Sequence, residues 1–276
     1  MALAVTEVPL TTGEWIDEAT PKDTIYLHHT AGGHDPAGVV SWWDRDGGGN
    51  RMRVATAYVI GGVSTRNGDA SMDGSVVRCF PEEHWAYHLG VRGSAGALDR
   101  KSIGIEICNY GWLVKSQQDG RFYNYVNHAV PDDQVVELDQ PFRGYRYWHR
   151  YTDAQLAAVK TLMKELARRH GIDLKAGLQP ALARDGLSLP DGLTVRQQQK
   201  WLNDHGFTDH EGKKLKVDGD DGPRTRSARA KVGTSAFEYD DDALAGKPGV
   251  WTHTNVRKDK TDCSPQPKLI KMLKSL

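Results

Sequence analysis

Two adjacent histidines, His28 and His29, close a short apolar run that begins at Ile25. The run 25–27 is typical of a buried β-strand, which would hold an imidazole rigidly at the floor of a cleft. Neutral imidazole is a common ligand of zinc, so the pair points to a metal site. A pair that is merely hydrogen bonded has the same local sequence, so further ligands are needed to choose between the two interpretations.

Candidates for those further ligands lie far along the chain. Catalytic zinc is held by three protein ligands and keeps one position open for water. His253 follows the apolar pair Val250-Trp251, much as His28 follows its own strand. Asp262 or Cys263, one short loop beyond, could supply the third ligand, since zinc accepts both carboxylate and thiolate.

Zinc-assisted hydrolysis also needs a carboxylate that takes a proton from water and a cation that stabilises the oxyanion. Glu106 is the carboxylate inside the otherwise apolar run 102–108. A buried Glu without a partner or a role is costly, so Glu106 is a candidate for the proton transfer. Lys260, two residues before Asp262, is the candidate cation.

The elements that must position these residues alternate between strands and helices. Four apolar runs predict strands: 24–30, 54–60, 74–80 and 102–108, the last of them half-buried. Helical spacing of apolar residues predicts a helix over 36–44. A second helix begins at the capping box of Thr152 and Gln155 and ends at His170-Gly171. We therefore predict an α/β fold with a mixed central sheet flanked by helices, and we interpret 109–150 as long loops at a substrate rim.

A separate helical module is predicted between the two halves of the site. The segment 193–203 has the pattern of a short amphipathic helix, and Val217-Asp218-Gly219 through Gly222-Pro223-Arg224-Thr225 predicts a turn and a second helix. We expect a catalytic domain in two parts, 1–182 and 237–276, with the module 183–236 inserted between them. Insertion at a surface loop is physically tolerated.

Composition excludes several classes of protein. The 276 residues carry a formal net charge of zero, which argues against a nucleic-acid binder. No apolar run approaches the ~20 residues of a membrane helix. Three cysteines do not suggest a disulfide framework. The N-terminus, beginning Met1-Ala2-Leu3, lacks the pattern of a secretory signal, so we expect synthesis in the cytoplasm without export by a signal peptide.

Three motifs in order along the chain resemble the zinc-dependent N-acetylmuramoyl-L-alanine amidases of the amidase type 2 family, which are related to peptidoglycan recognition proteins. They are Ile25-Tyr26-Leu27-His28-His29-Thr30-Ala31-Gly32, Ser102-Ile103-Gly104-Ile105-Glu106-Ile107-Cys108-Asn109, and the segment 251–262. The pattern Val-Asp-Gly-x-x-Gly-Pro-x-Thr at 217–225 similarly resembles a three-helix peptidoglycan-binding domain, with its third helix shortened or lost.

The resemblance implies roles for individual residues. It implies a Zn²⁺ cofactor bound by His28, His253 and Asp262, with His29 in a supporting position. Glu106 matches the carboxylate that activates water in the cytosolic muropeptide amidase branch, and Lys260 matches the residue that stabilises the oxyanion. The segment 85–90 resembles the family's Trp-His-Ala-Gly segment beside the substrate groove. His88, Trp85 and Asn109 are accordingly predicted to bind substrate.

Two departures from the family pattern affect these roles. Phage-type relatives carry a Tyr where this chain has Thr56, which favours Glu106 as the main proton-transfer group. Other members use a Cys before Pro as the third ligand, and Cys263-Ser264-Pro265 matches that form in part. Asp262 is favoured because of the Lys-x-Asp spacing. Adjacent residues on an extended loop point in opposite directions, so only one of Asp262 and Cys263 is expected to bind the ion.

The resemblance implies an enzyme that hydrolyses the amide between N-acetylmuramic acid and L-alanine in bacterial peptidoglycan. With the wall-binding module and no signal peptide, the chain is expected to be a monomeric phage endolysin. It would be made in the host cytoplasm, would act on the cell wall, and would neither bind nucleic acid nor insert into a membrane. Two alternatives stay open: a cytosolic muropeptide-recycling amidase and a peptidoglycan-binding protein without catalysis.

Overall fold

The computed structural model describes residues 3–11, 13–44, 54–93 and 95–276, so Met1 and Ala2 of the N-terminal stretch lie outside the described residues. The strands are β1 (Val5–Glu7), β2 (Thr24–His29), β3 (Tyr58–Ile60), β4 (Val76–Arg78), β5 (Ser102–Ile107), β6 (Trp112–Lys115), β7 (Phe122–Tyr123), β8 (Ala129–Val130), β9 (Val135–Phe142), β10 (Tyr145–His149) and β11 (Gly249–Thr252).

The α-helices are α1 (Pro36–Asp44), α2 (Ala97–Lys101), α3 (Asp153–His170), α4 (Gln179–Arg184), α5 (Val195–Asp204), α6 (Pro223–Ala230), α7 (Asp241–Leu244), α8 (His253–Val256) and α9 (Pro267–Lys274). A 3-10 turn spans Asp132–Gln134. Among the described helices, none is both long and apolar enough to cross a membrane.

Six strands form the central sheet in the order β1-β4-β3-β5-β2-β11. The neighbours β3, β5, β2 and β11 run parallel to one another, and β4 pairs antiparallel with β3. This arrangement confirms the predicted α/β class with a mixed sheet. The predicted strands at 54–60 and 74–80 are both present, but each has only three residues in the ladder.

The central strand β5 is buried along its whole length. It lies between β3 and β2, and both of its faces are covered, so Ser102 and Gly104 are buried like the Ile residues between them. The prediction of a half-buried strand was therefore wrong. In a sheet covered on both faces, the alternation of large and small residues reflects the space available on each face and not exposure to water.

A second sheet occupies the region that the sequence suggested was loops. Its five antiparallel strands lie in the order β8-β7-β6-β10-β9. The loop interpretation of 109–150 is wrong because Tyr and Trp are as typical of strands as of binding loops. Trp148 of β10 is fully buried in the main core, so the second sheet is packed against that core.

The long helix α3 follows its sequence signals closely. The Thr152 side chain accepts a hydrogen bond from the backbone N–H of Gln155, and the Gln155 side chain accepts one from the backbone N–H of Thr152. Gly171 ends the helix in the left-handed conformation, with φ 72°. The capping box and the glycine stop confirm the bounds predicted for this helix.

The segment around α5 and α6 has a small core of its own, formed by Leu202, Phe207, Leu215 and Ala228. The chain then returns to the main core, where Phe237 and Ala243 are fully buried. The inserted module and its boundaries 183 and 236 stay a prediction.

Candidate metal centre and groove

Three candidate residues lie at the carboxyl ends of three neighbouring parallel strands. His28 in β2 is in register with Glu106 in β5, so both side chains emerge on the same face of the sheet. On the other side of β2, Thr252 is in register with Leu27, which puts His253 level with His28. Parallel pairing thus gathers residues from distant parts of the chain into one row.

Three side-chain atoms meet at this edge of the sheet. His28 Nδ1 lies 3.1 Å from His253 Nδ1 and 3.2 Å from Asp262 Oδ2. His253 Nδ1 lies 3.0 Å from the same carboxylate oxygen. All three residues are buried, and together they form a group that could hold a metal ion. The loop after α8 therefore brings Asp262 to the two histidines, as the sequence predicted.

The spacing of the three atoms suits zinc. Ligand atoms at ~2.0–2.2 Å from a tetrahedral ion lie about 3.3 Å from one another. The observed separations of 3.0–3.2 Å are close to that value. Two imidazoles and one carboxylate are also a donor set that catalytic zinc sites use.

A chain of hydrogen bonds indicates which nitrogen of His28 carries its proton. The Ser102 hydroxyl donates to the Leu98 carbonyl at 2.8 Å, so its oxygen accepts from His88 Nε2–H at 2.9 Å. Neutral His88 then accepts at Nδ1 from His28 Nε2–H, also at 2.9 Å. His28 Nδ1 is left with a lone pair that faces His253 and Asp262.

The tautomer of His253 follows in the same way. Its Nε2 lies 2.9 Å from the Leu89 carbonyl oxygen, which can only accept, so this nitrogen carries the proton. The lone pair on Nδ1 then faces His28 and Asp262. Three acceptor atoms within 3.2 Å repel one another unless a cation or a proton lies between them. The residues present therefore fit a bound divalent cation.

Gly104 makes room for this arrangement. A Cβ atom at position 104 would lie 2.8 Å from Thr56 Cγ2 and 3.1 Å from His88 Nδ1. Since residues two apart on a strand share a face, Gly104 is on the same face as Glu106. The small residue in Ser102-Ile103-Gly104-Ile105-Glu106 thus leaves space for the ring that supports His28.

The loop that carries Asp262 is tied to helix α8. The backbone N–H of Thr254 donates to the Asp262 carbonyl at 3.1 Å. Asn255, fully buried, accepts from the Thr252 backbone N–H and donates to the carbonyls of Ala236 and Glu238. These hydrogen bonds explain why a polar residue, Asn255, lies in a buried segment. Its side chain pairs with backbone N–H and carbonyl groups that would otherwise lack a partner.

Cys263 faces away from the two histidines. Its thiol is hydrogen bonded to Tyr151, whose hydroxyl also lies 2.9 Å from His29 Nδ1. Burial raises the pKa of Cys263 well above its ordinary value, so the thiol keeps its proton. Asp262 thus contacts the two histidines, whereas Cys263 contacts Tyr151. His29, turned away from His28 by the alternation of β2, lies with Tyr151 behind the site.

Burial and charge set the protonation of the group. Burial lowers the pKa of His28 to about 4, so the ring is neutral near pH 7. Burial alone would raise the pKa of Asp262, but the adjacent rings of His253 and His28 outweigh it and hold that pKa well below its ordinary value. A neutral imidazole beside an ionised carboxylate is the state that binds a metal cation.

Glu106 is buried, is in register with His28, and lines a groove next to α1. Burial and the negative charge of Asp262 raise its pKa well above the ordinary value, while the charge of Lys260 lowers it. The charge of Lys260 acts on His28 as well, so this half-buried cation lies near both residues. Carboxylates with raised pKa values beside a cleft are typical of groups that transfer protons.

The groove that Glu106 lines has a volume of about 480 Å³, and His28, His253 and Asp262 are not part of its lining. Besides Glu106 it is lined by Trp42 and Trp43 of α1 and by Tyr125, which comes from the second sheet. None of these three aromatic residues was assigned to the groove from the sequence. Had residues 109–150 been predicted to form a sheet, their aromatic side chains would have suggested one wall of a groove. The sequence does not indicate which side of the groove such a sheet would form.

The structure does not bring the three predicted substrate-binding residues to the groove surface. Trp85 is 4% exposed and donates to Glu18. Asn109 is 1% exposed, and its side chain bonds the backbone of His149, Arg150 and Gly111. The His88 side chain is 4% exposed and lies behind His28. Their predicted contact with substrate therefore gains no support from these positions.

Comparison with known proteins gives one family. The sequence model of the family described as N-acetylmuramoyl-L-alanine amidase matches residues 18–179, more than half of the chain. The match includes His28, His88 and Glu106, whereas His253 and Asp262 lie beyond it. Curated protein sequences give no match.

Several solved structures are similar to parts of the chain. A mutant endolysin from Bacillus subtilis is 17% identical, covering 62% of this chain and 80% of that one, with a TM-score of 0.37. LysCS from Clostridium intestinale URNW, an endolysin described as an N-acetylmuramoyl-L-alanine amidase, is 14% identical. The match covers 62% of this chain and 78% of that one, with a TM-score of 0.33. An AmpD derivative is 17% identical, with coverages of 62% and 81% and a TM-score of 0.36.

Proposed function

The chain belongs to the N-acetylmuramoyl-L-alanine amidase family, and from this premise we propose that it is a zinc-dependent hydrolase of peptidoglycan. The bond cleaved is the amide between N-acetylmuramic acid and the L-alanine of the stem peptide. One observation carries the proposal: His28 Nδ1, His253 Nδ1 and Asp262 Oδ2 converge within 3.2 Å of one another, next to the buried carboxylate of Glu106.

In this proposal His28, His253 and Asp262 hold the ion. A zinc ion bound there supplies Lewis acidity, which polarises the scissile carbonyl and lowers the pKa of water to about 7. His88 and the Leu89 carbonyl hold the two imidazoles in the tautomers that present Nδ1. Asp262 contributes the negative charge that favours a divalent cation over a proton.

Glu106 performs the proton transfers. As a carboxylate it accepts a proton from the attacking water, and as a carboxylic acid it gives that proton to the departing amine of L-alanine. Its raised pKa suits both steps, because the group must take up a proton from water in one step and release it to the amine in the next. Lys260 donates to the oxyanion that develops on the carbonyl oxygen.

We also propose a lytic role of the kind that phage endolysins have. The segment with its own core at 183–236 supports this, since a second wall contact would raise the local concentration of enzyme on a polymeric substrate. An amidase that recycles soluble muropeptides gains nothing from such a contact. Nothing in the described residues favours oligomerisation over the proposed monomer.

The test is hydrolysis of purified cell walls followed by two assays. Turbidity should fall while free amino termini of L-alanine appear. A chelator should stop both changes, and added zinc should restore them. Release of reducing sugar without new amino termini would identify a glycosidase instead. Wall binding with neither product would leave only the binding-protein alternative.

A further inference from the structure

The outward face of the second sheet carries a row of aromatic and small polar side chains. Trp112, Val114 and Ser116 alternate along β6 and share one face, and Tyr123 and Tyr125 lie beside them on the neighbouring segment. Val114 is 52% exposed and Tyr125 is 53% exposed. Exposed aromatic surface of this kind is uncommon without a binding role.

The aromatic residues of this face are held rigidly. Trp112 stacks on Tyr145, with ring centroids 4.3 Å apart and an interplanar angle of 12°. Tyr125 lies at the tip of a turn in which Asn124 Oδ1 accepts from the backbone N–H groups of Val126 and His128. A rigid aromatic platform loses little conformational entropy when a ligand stacks on it.

The face forms one side of a groove of about 470 Å³. Besides the aromatic residues, its lining is mainly uncharged and polar, as in Ser116, Gln118 and Asn127, and Asp119 is the one charged side chain. Tyr125 lines this groove and also the groove that contains Glu106. The two grooves therefore meet at a single ring.

We infer that the face of the second sheet is a binding subsite for the glycan strand of peptidoglycan, next to the catalytic groove. The inference rests on the proposed function for the identity of the polymer. Sugar rings present an apolar face that stacks on aromatic rings, and hydroxyl groups that pair with amides and hydroxyls. A stem peptide carries carboxylates and amines, which would call for more charge than this groove offers.

Binding of peptide-free glycan strands tests the inference without catalysis, because these strands lack the scissile amide. Calorimetric titration of the whole protein with GlcNAc-MurNAc oligosaccharides, whose lactyl carboxyl groups are methyl-esterified so that they carry no charge, should show binding. Tyr125→Ala should weaken it about tenfold, the effect of losing one stacking contact of ~1.4 kcal/mol. Tyr125→Phe keeps the ring and should bind like the wild type. Val126→Ala is the matched control, since Val126 is 44% exposed on the same turn but does not line the groove.

Three results would overturn the inference. The first is a wild type that does not bind these strands, and the second is equal binding by Tyr125→Ala. The third is that Tyr125→Ala weakens the binding of free stem peptide and leaves glycan binding unchanged, which would assign the face to the peptide.

A kinetic experiment separates this inference from the proposed function. Amide hydrolysis is compared for a muramyl peptide with one sugar and for a tetrasaccharide with the same stem. Because Tyr125 also lines the groove that contains Glu106, Tyr125→Ala should lower kcat/KM for the tetrasaccharide about tenfold more than for the single-sugar substrate. Equal effects on both substrates contradict the subsite. Hydrolysis of neither substrate by the wild type contradicts the amidase proposal, whatever the glycan titration shows.

Discussion

His28 and Glu106 are in register on the neighbouring parallel strands β2 and β5, and their side chains emerge on one face of the sheet. A candidate metal ligand and a candidate proton-transfer group are thereby held at a fixed lateral separation by backbone hydrogen bonds. Neither position depends on a flexible loop. Sites built on strands keep the geometry that proton transfer requires better than sites built on loops.

Replacing Glu106 with Gln should abolish turnover without releasing the metal. The amide cannot accept and return a proton, so kcat should fall about 100- to 10,000-fold. Zinc content measured by atomic emission should equal that of the wild type, because Glu106 is not among the converging ligand atoms. Glu83→Gln, at an exposed carboxylate, is the control and should retain activity. Full activity in Glu106→Gln would remove the residue from the mechanism.

The third ligand can be assigned by comparing Asp262→Ala with Cys263→Ser. The first variant loses one of three converging donors and should be isolated with little zinc. The second keeps all three donors and should retain stoichiometric zinc, since its side chain faces Tyr151. Melting temperatures in the presence of a chelator show whether either variant is misfolded. Zinc retained by Asp262→Ala and lost by Cys263→Ser would reverse the assignment.

His88 should control zinc affinity although it is not a ligand. Removing its ring in His88→Ala frees His28 to rotate and should weaken zinc binding about 10- to 100-fold. Gly104→Ala should act in the same direction, because the added Cβ would lie 3.1 Å from His88 Nδ1. Dissociation constants from competition with a chelating dye give the comparison. His84→Ala, a partly exposed histidine paired with Asp17, should leave the constant unchanged; a similar loss in that control would argue against a specific effect.

Buried neutral histidines should make stability fall in mild acid. Burial lowers the pKa of His149 to about 3, so the folded protein keeps this ring neutral while the unfolded chain takes up a proton below its ordinary value of 6.5. The unfolded state then binds more protons, and the free energy of unfolding decreases as pH falls from 6.5.

Each such ring contributes a slope of up to about 1.4 kcal/mol per pH unit. Urea unfolding of chelated protein between pH 6.5 and 4.5 should therefore show a shallower slope for His149→Gln than for the wild type. Equal slopes would mean that the ring is not held neutral in the folded state. His149 is chosen because it is not among the converging ligands, so loss of metal does not enter the comparison.

The metal-binding group could be predicted because its residues interrupt otherwise apolar segments. His28, Glu106 and His253 each end or break a run of buried residues, and polar groups in such places must be satisfied or functional. The order of the motifs then suggested which ones meet. Sequence alone could not decide between Asp262 and Cys263, since that choice depends on which side of an extended loop faces the sheet.

The surroundings of the site were less predictable. Trp85 and Asn109 have residue types that suit a substrate groove, yet both are buried, and their polar atoms bond neighbouring parts of the protein. Tyr125 lies in the turn between β7 and β8, which have two residues each. Strands this short leave almost no periodic pattern, and their pairing is set by contacts with distant residues. Aromatic residues can therefore be placed in such a sheet only when its packing partner is known.

The 225 positions between His28 and His253 have a consequence for biosynthesis. The candidate metal-binding group is incomplete until β11 joins the edge of the central sheet beside β2, and that strand is translated after both the second sheet and the segment with its own core. At ~5–20 residues per second, the ribosome needs about 11 to 45 s to cover this interval. A nascent chain can thus fold much of its scaffold while it is still catalytically silent. Hydrolytic competence arises late and all at once, when the C-terminal strand is added.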